Sequence, residues 1–159
     1  MSDDSEATPR PMANMLNAAR DGYLSIALKP EDFVYIDRDC ELFKESILEI
    51  RRIMNEVARQ DRWGLGEGNK EMVSASTVVS RFRSKASGAE DGNSVVKIMD
   101  EHYRIIEDIQ EVHRLVRERM MQADSWFADQ FNHLNETLPE RPREGQILGP
   151  FILPDGTTK

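Results

Sequence analysis

The stretch Pro30–Arg62 reads PEDFVYIDRDCELFKESILEIRRIMNEVARQDR, and within it Phe33, Ile36, Cys40, Phe43, Ile47, Ile50, Met54 and Val57 recur at alternating steps of three and four. That spacing lines apolar side chains along one stripe of an α-helix, the a/d pattern of a helix packed on a continuous seam. Pro30 suits a first helical turn, and Glu31 and Asp32 complement the positive end of the helix dipole. A helix over 31–62 is predicted, about 46 Å long at 1.5 Å per residue. A helix of that length needs a partner along most of its seam.

The next residues, Trp63-Gly64-Leu65-Gly66-Glu67-Gly68-Asn69, stop the helix, because glycines reach turn conformations without steric cost. Beyond them Met72, Ala75, Val79, Phe82 and Ala86 predict a second helix over 71–86, ended by Ser87-Gly88. Asn93 or Ser94 can cap a third helix over 94–135. Its inward series is Val95, Ile98, His102, Ile105, Ile109, Val112, Val116, Met120, Ala123, Phe127, Phe131 and Leu134. Repeated steps of four at Val112-Val116-Met120 and Ala123-Phe127-Phe131 predict a straighter C-terminal half. The expected fold is all-α, a long antiparallel helical hairpin or bundle of three main helices with flexible termini. Residues 1–29 read as a mostly disordered arm with room for a short helix over 14–26, and 30–136 as the bundle domain. Pro139, Pro142 and Gly145 make 137–159 a tail, whose Ile147, Leu148, Phe151, Ile152 and Leu153 either dock in a groove or stay free.

Composition narrows the function classes. The 159 residues fit one domain, and 29 acidic against 21 basic residues give a formal charge of -8, which repels phosphate backbones and anionic membranes. Nucleic acid is therefore not an expected partner. No window approaches the roughly 18 apolar residues of a spanning helix, and the first eleven residues have neither a basic nor an apolar signal region. Membrane insertion is not expected, and the predicted location is the cytoplasm, or outside the cell by a route without a cleavable signal peptide. The one cysteine, Cys40, allows no intrachain disulfide and sits at a seam position between Ile36 and Phe43, where a small apolar side chain is expected.

Catalytic chemistry finds little footing. A di-metal bundle site uses Glu-x-x-His pairs, but Met99, Gln110 and Gln130 precede His102, His113 and His133 by three residues. His102 reads as a core or seam histidine. The glycine-rich WGLGEG run follows a helix and lacks the lysine of a phosphate loop, so turn chemistry explains it. Glu107, Asp108 and Glu111 resemble half of the acidic signature of all-α nucleotide pyrophosphohydrolases, where carboxylates hold magnesium at a phosphate chain. Glu118, Asp124 and Asp129 do not repeat the second pair. No enzyme activity and no cofactor is expected; a magnesium-dependent hydrolase using Glu107, Asp108 and Glu111 is the alternative.

A tryptophan at a turn between long amphipathic helices can be held partly exposed as an anchor for another chain. A long helix, then Trp63-Gly64-Leu65-Gly66, then a further helical arm and an acidic balance resemble the WXG family of small helical-hairpin proteins of type VII (ESX) secretion, over about Lys29 to Leu134. The resemblance implies a helical hairpin, dimerisation through the heptad faces, and a role as secreted substrate or effector partner. It also implies a secretion signal, a tyrosine followed four residues on by an acid. Tyr103 and Glu107 match it literally; Met120 and Asp124 occupy the expected location. The expected function is a non-enzymatic helical interaction protein, with a cytosolic adaptor or assembly subunit as the other reading. A homodimer or a heterodimer with another helical protein would use Trp63, Leu65, Phe43, Ile47, Ile50, Met54, Ile105, Ile109 and Val112. Truncating Phe43 or Ile109 to Ala is expected to cost about 2–5 kcal/mol.

Overall fold

The computed structural model describes residues 9–141. Among them the chain forms helices α1 (Ala13–Asp21), α2 (Pro30–Arg59), α3 (Val73–Ala86), α4 (Val95–Ala123) and α5 (Ser125–Thr137), with no strand. The fold is all-α. Two compact units share the chain: the first combines residues up to Lys44 with Tyr103–Glu140, and the second holds Glu45–His102. Each takes part of α2 and part of α4.

The core of the first unit is Leu16, Ala19, Phe33, Val34, Val112, Val116, Phe127 and Phe131. The N-terminal segment, expected to be largely an arm, thus supplies two of these side chains, and Leu24, Ile26 and Leu28 pack against the cluster from the stretch that joins α1 to α2. Polar contacts fix both ends of α1. The Asp108 carboxylate, 1% exposed, accepts from Arg10 Nε at 2.6 Å and from the Met12 backbone N–H at 2.9 Å. At the other end Arg119 donates to the Arg20 carbonyl at 2.9 Å, beside Gly22 at φ 83°. A Cβ on Gly22 would run into the Arg119 guanidinium, so glycine serves both the left-handed cap and the close approach.

The third predicted helix is a correction: it is not one straight rod but α4 and α5, parted at Asp124. Asp124 is extended at φ −139° and ψ 108°, and its side chain accepts from the backbone N–H groups of Trp126 and Phe127, capping α5. Without the break, residues 113 and 127 would stand about 21 Å apart along one helix. Instead the Phe33 ring meets His113 edge-on at 6.3 Å and Phe127 at 5.9 Å. The break is what returns Phe127 and Phe131 to the core. Arg38 of α2 closes the far end of α5, donating to the Leu138 carbonyl at 3.0 Å, where a cation also suits the helix dipole. Leu138 itself packs on the core; the proposed docking residues Ile147 to Leu153 lie outside the described residues.

In the second unit the buried apolar side chains are Ile47, Ile53, Trp63, Ala75, Val79 and Ala86. Arg51 of α2 pairs with Asp100 of α4 at 2.8 Å, and Ser87 after α3 donates to Asn55 at 3.1 Å. Buried Ser94 precedes α4, its carbonyl accepting from the Ile98 N–H at 3.0 Å. No described helix is long and apolar enough to cross a membrane.

Candidate functional site

The Trp63 turn is built by a carboxylate. Glu67 accepts from the backbone N–H groups of Trp63 and Leu65, and the Trp63 N–H holds its carboxyl below the usual carboxylate range. Gly64 and Gly66, at φ 71° and 87°, supply the left-handed steps that bring those donors round. Trp63 is not the partly exposed anchor expected from the sequence. It is 7% exposed, its indole donates to the Gln60 carbonyl at 3.2 Å, and its ring stacks on Phe82 at 5.9 Å and 13°. Arg83 donates to the Gln60 and Asp61 carbonyls, tying α3 to the end of α2.

Burying Trp63 leaves its neighbours outside. Phe82 offers one ring face to the indole and remains 56% exposed, and Val78, one turn earlier, is 40% exposed. Leu65, Met72 and Val73 are also exposed. In α3 only Ala75, Val79 and Ala86 are buried. Arg81 and Lys85 fall on the same side as Val78 and Phe82, since positions i, i+3, i+4 and i+7 share a helix face. The heptad spacing turns Phe82 inward and does not single out Val78, Arg81 or Lys85. Their signal was present in composition, for α3 alone among the five described helices has no acidic residue.

The seam candidates divide. Phe33, Cys40 and Ile47, seven residues apart, are buried; Ile36, Ile50, Met54 and Val57 are half-buried. Phe43 is a correction, for it lies at the margin of the stripe and is 53% exposed. On α4, Val112 is buried in the first unit's core and Ile105 and Ile109 are half-buried. His102 is exposed and not a seam residue, whereas half-buried His113 contacts the Ile109 carbonyl at 2.8 Å through Nδ1. Burial pushes the Cys40 thiol up, which keeps it protonated and a weak nucleophile.

The acidic triplet is drawn apart by its partners. Asp108 faces Arg10 and Met12, Glu111 binds Arg114 at 2.8 Å, and Glu107 is exposed. The Arg114 guanidinium holds the Glu111 carboxyl below its ordinary range. Among the described residues no group of three His, Cys, Asp or Glu side chains is gathered as a metal site would need. An open polar depression of about 530 Å³ lies here, lined by Arg10, Lys44, Arg114 and Arg117 among others. Its cations are already engaged: Arg10 by Asp108, Lys44 by Glu41, Arg114 by Glu111 and Glu118, and Arg117 by Asp37. An anion entering it would have to displace these partners.

Of the signal candidates, Tyr103 and Met120 are half-buried on α4, Glu107 is exposed on the same helix, and Asp124 is the cap of α5. No family model matches the chain, and no curated protein or solved structure is significantly similar to it.

Proposed function

We propose that this chain is a non-enzymatic helical interaction protein whose second unit presents the contact surface. The observation that carries the reading is the placement of exposed apolar side chains. Leu65, Met72, Val73, Val78 and Phe82, from the Trp63 turn through α3, are 40–69% exposed, whereas the exposed Met15, Tyr23, Phe43 and Trp126 of the first unit are spread over α1, the stretch after it, α2 and α5. Single exposed apolar residues are ordinary on a protein surface, but a run of them along one turn and one helix marks a contact site. The partner is another helical protein or a second copy.

The finer reading, a type VII secretion substrate or effector partner, is supported by the Trp63-Gly64-Leu65-Gly66 turn and the helices on either side of it. It predicts that the protein accumulates outside cells only while the secretion ATPase is intact; equal accumulation without that ATPase contradicts it.

The interaction reading is tested by light scattering coupled to size exclusion over a wide concentration range, alone and with cell extract from its source. A concentration-dependent rise in mass, or a stoichiometric complex lost on Phe82→Ser, is the expected result. A compact monomer without any complex, releasing pyrophosphate from nucleotides with magnesium in a Glu111-dependent manner, would replace it with the hydrolase.

A further inference from the structure

Val78, Arg81, Phe82 and Lys85 occupy one face of α3 at i, i+3, i+4 and i+7, the spacing at which one helix reads another. Two large apolar side chains form its centre and two cations its border. We infer that this face binds an acidic amphipathic helix of a partner protein, with apolar residues over Val78 and Phe82 and carboxylates beside Arg81 and Lys85. The inference rests on the interaction reading above and specifies its partner.

Charge selects the occupant. The chain carries a formal charge of -8, yet α3 contains Arg81, Arg83 and Lys85 and no acid. Arg83 turns toward the Gln60 and Asp61 carbonyls, which leaves Arg81 and Lys85 on the outward side. Lys85 has Asp91 at 3.1 Å, but that pair is more than half exposed on both sides and exchanges easily for another carboxylate. A second copy that pairs α3 against α3 fits this face poorly. A two-fold interface sets a patch against itself, so α3 on α3 would place these cations against like charges. A basic partner meets the same repulsion, while an acidic helix neutralises it.

The anchor is also prepared before binding. The Phe82 ring is held on one side by Trp63, itself 7% exposed and bonded to the Gln60 carbonyl. A fixed aromatic side chain loses little rotamer freedom when a partner covers its other face. The rest of the helix surface near it is Ser74, Ser76, Thr77 and Ser80, short side chains that do not block the approach of a second helix.

Two fluorescein-labelled helical peptides sharing one apolar Leu/Phe stripe, one flanked by Glu and the other by Lys, test the inference by anisotropy on the full chain. The Glu peptide is expected to bind at least about tenfold more tightly, because like charges across an interface cost several kcal/mol, and to weaken as salt rises. Phe82→Ser should abolish binding while far-UV circular dichroism stays unchanged. Arg81→Glu with Lys85→Glu should reverse the preference toward the Lys peptide with the apolar face intact, which separates a lost contact from a lost fold. Equal affinity for both peptides, or a preference that survives the charge reversal, overturns the inference. If neither peptide binds but the chain self-associates in a Phe82-dependent manner, the face belongs to a second copy: the acidic-helix inference falls and the interaction reading stands. If neither peptide binds and the chain neither self-associates nor captures a partner, both fall.

Discussion

The two units solve the same problem, a short length of α2 and α4 with apolar stripes to cover, in opposite ways. The first covers its stripes from within: α1 and the stretch that follows it lie on one part of the core, and the break at Asp124 sends α5 back over another. Among the described residues, the second has the Trp63 turn and α3 for the purpose. Its largest side chain, Trp63, is buried, but Val78 and Phe82 are left at the surface. A helix whose buried residues are two alanines and one valine has little apolar area to hold it. The difference teaches that exposed apolar side chains of the second unit run along one turn and one helix, where a partner can cover them together, whereas those of the first, Met15, Tyr23, Phe43 and Trp126, are spread over separate elements.

Substitution separates the units sharply. Phe33, 1% exposed and in edge contact with two rings, should cost about 3–5 kcal/mol when cut to Ala, read by urea unfolding. Phe43→Ala, expected from the heptads to cost nearly as much, should stay within about 0.5 kcal/mol because that ring is 53% exposed. Equal losses at the two positions would mean that Phe43 is covered in solution. Arg10→Ala should destabilise the first unit by about 1–3 kcal/mol, since the buried Asp108 carboxylate loses its charged donor and keeps the Met12 N–H. An unchanged midpoint would show that residues 9–21 do not hold the core.

Gly22→Ala should cost about 1–2 kcal/mol, the strain of a left-handed residue, as the Arg119 guanidinium is displaced. Gly88→Ala, also at positive φ but with nothing near, tests strain alone and should cost less. The smallest effect concerns acid. Arg114 holds the folded Glu111 carboxyl below its ordinary value, so the pair's contribution is present above the unfolded value of about 4.3. It is lost as pH falls through the lower folded value. Arg114→Gln should therefore flatten the acid side of the stability profile below about pH 4; an unchanged slope would place the acid sensitivity elsewhere.

The sequence made the helices of the middle of the chain legible because periodicity is local: Phe33, Cys40 and Ile47 line up without reference to anything distant. The break at Asp124 was hidden by the same rule, since Ala123, Phe127 and Phe131 keep a helical step across it, and only the capping capacity of Asp124 marks a new start. The place of residues 9–29 was illegible because its main polar fixture joins Arg10 to Asp108, 98 residues away. Trp63 reads as partly exposed from its position in a glycine-rich turn, but its burial depends on Phe82 and the Gln60 carbonyl. The outward face of α3 was legible in part, as a helix of serines and cations without an acid in a chain of charge -8.

Hydrogen exchange followed by mass spectrometry on the free, full-length chain tests the contrast between the units most directly. The account predicts that amides around Val112–Val116 exchange slowest and those of α3 much faster, with α3 slowing when a partner covers Val78 and Phe82. Protection of α3 in the free monomer equal to that of Val112–Val116 would contradict it, for the second unit would then already be closed.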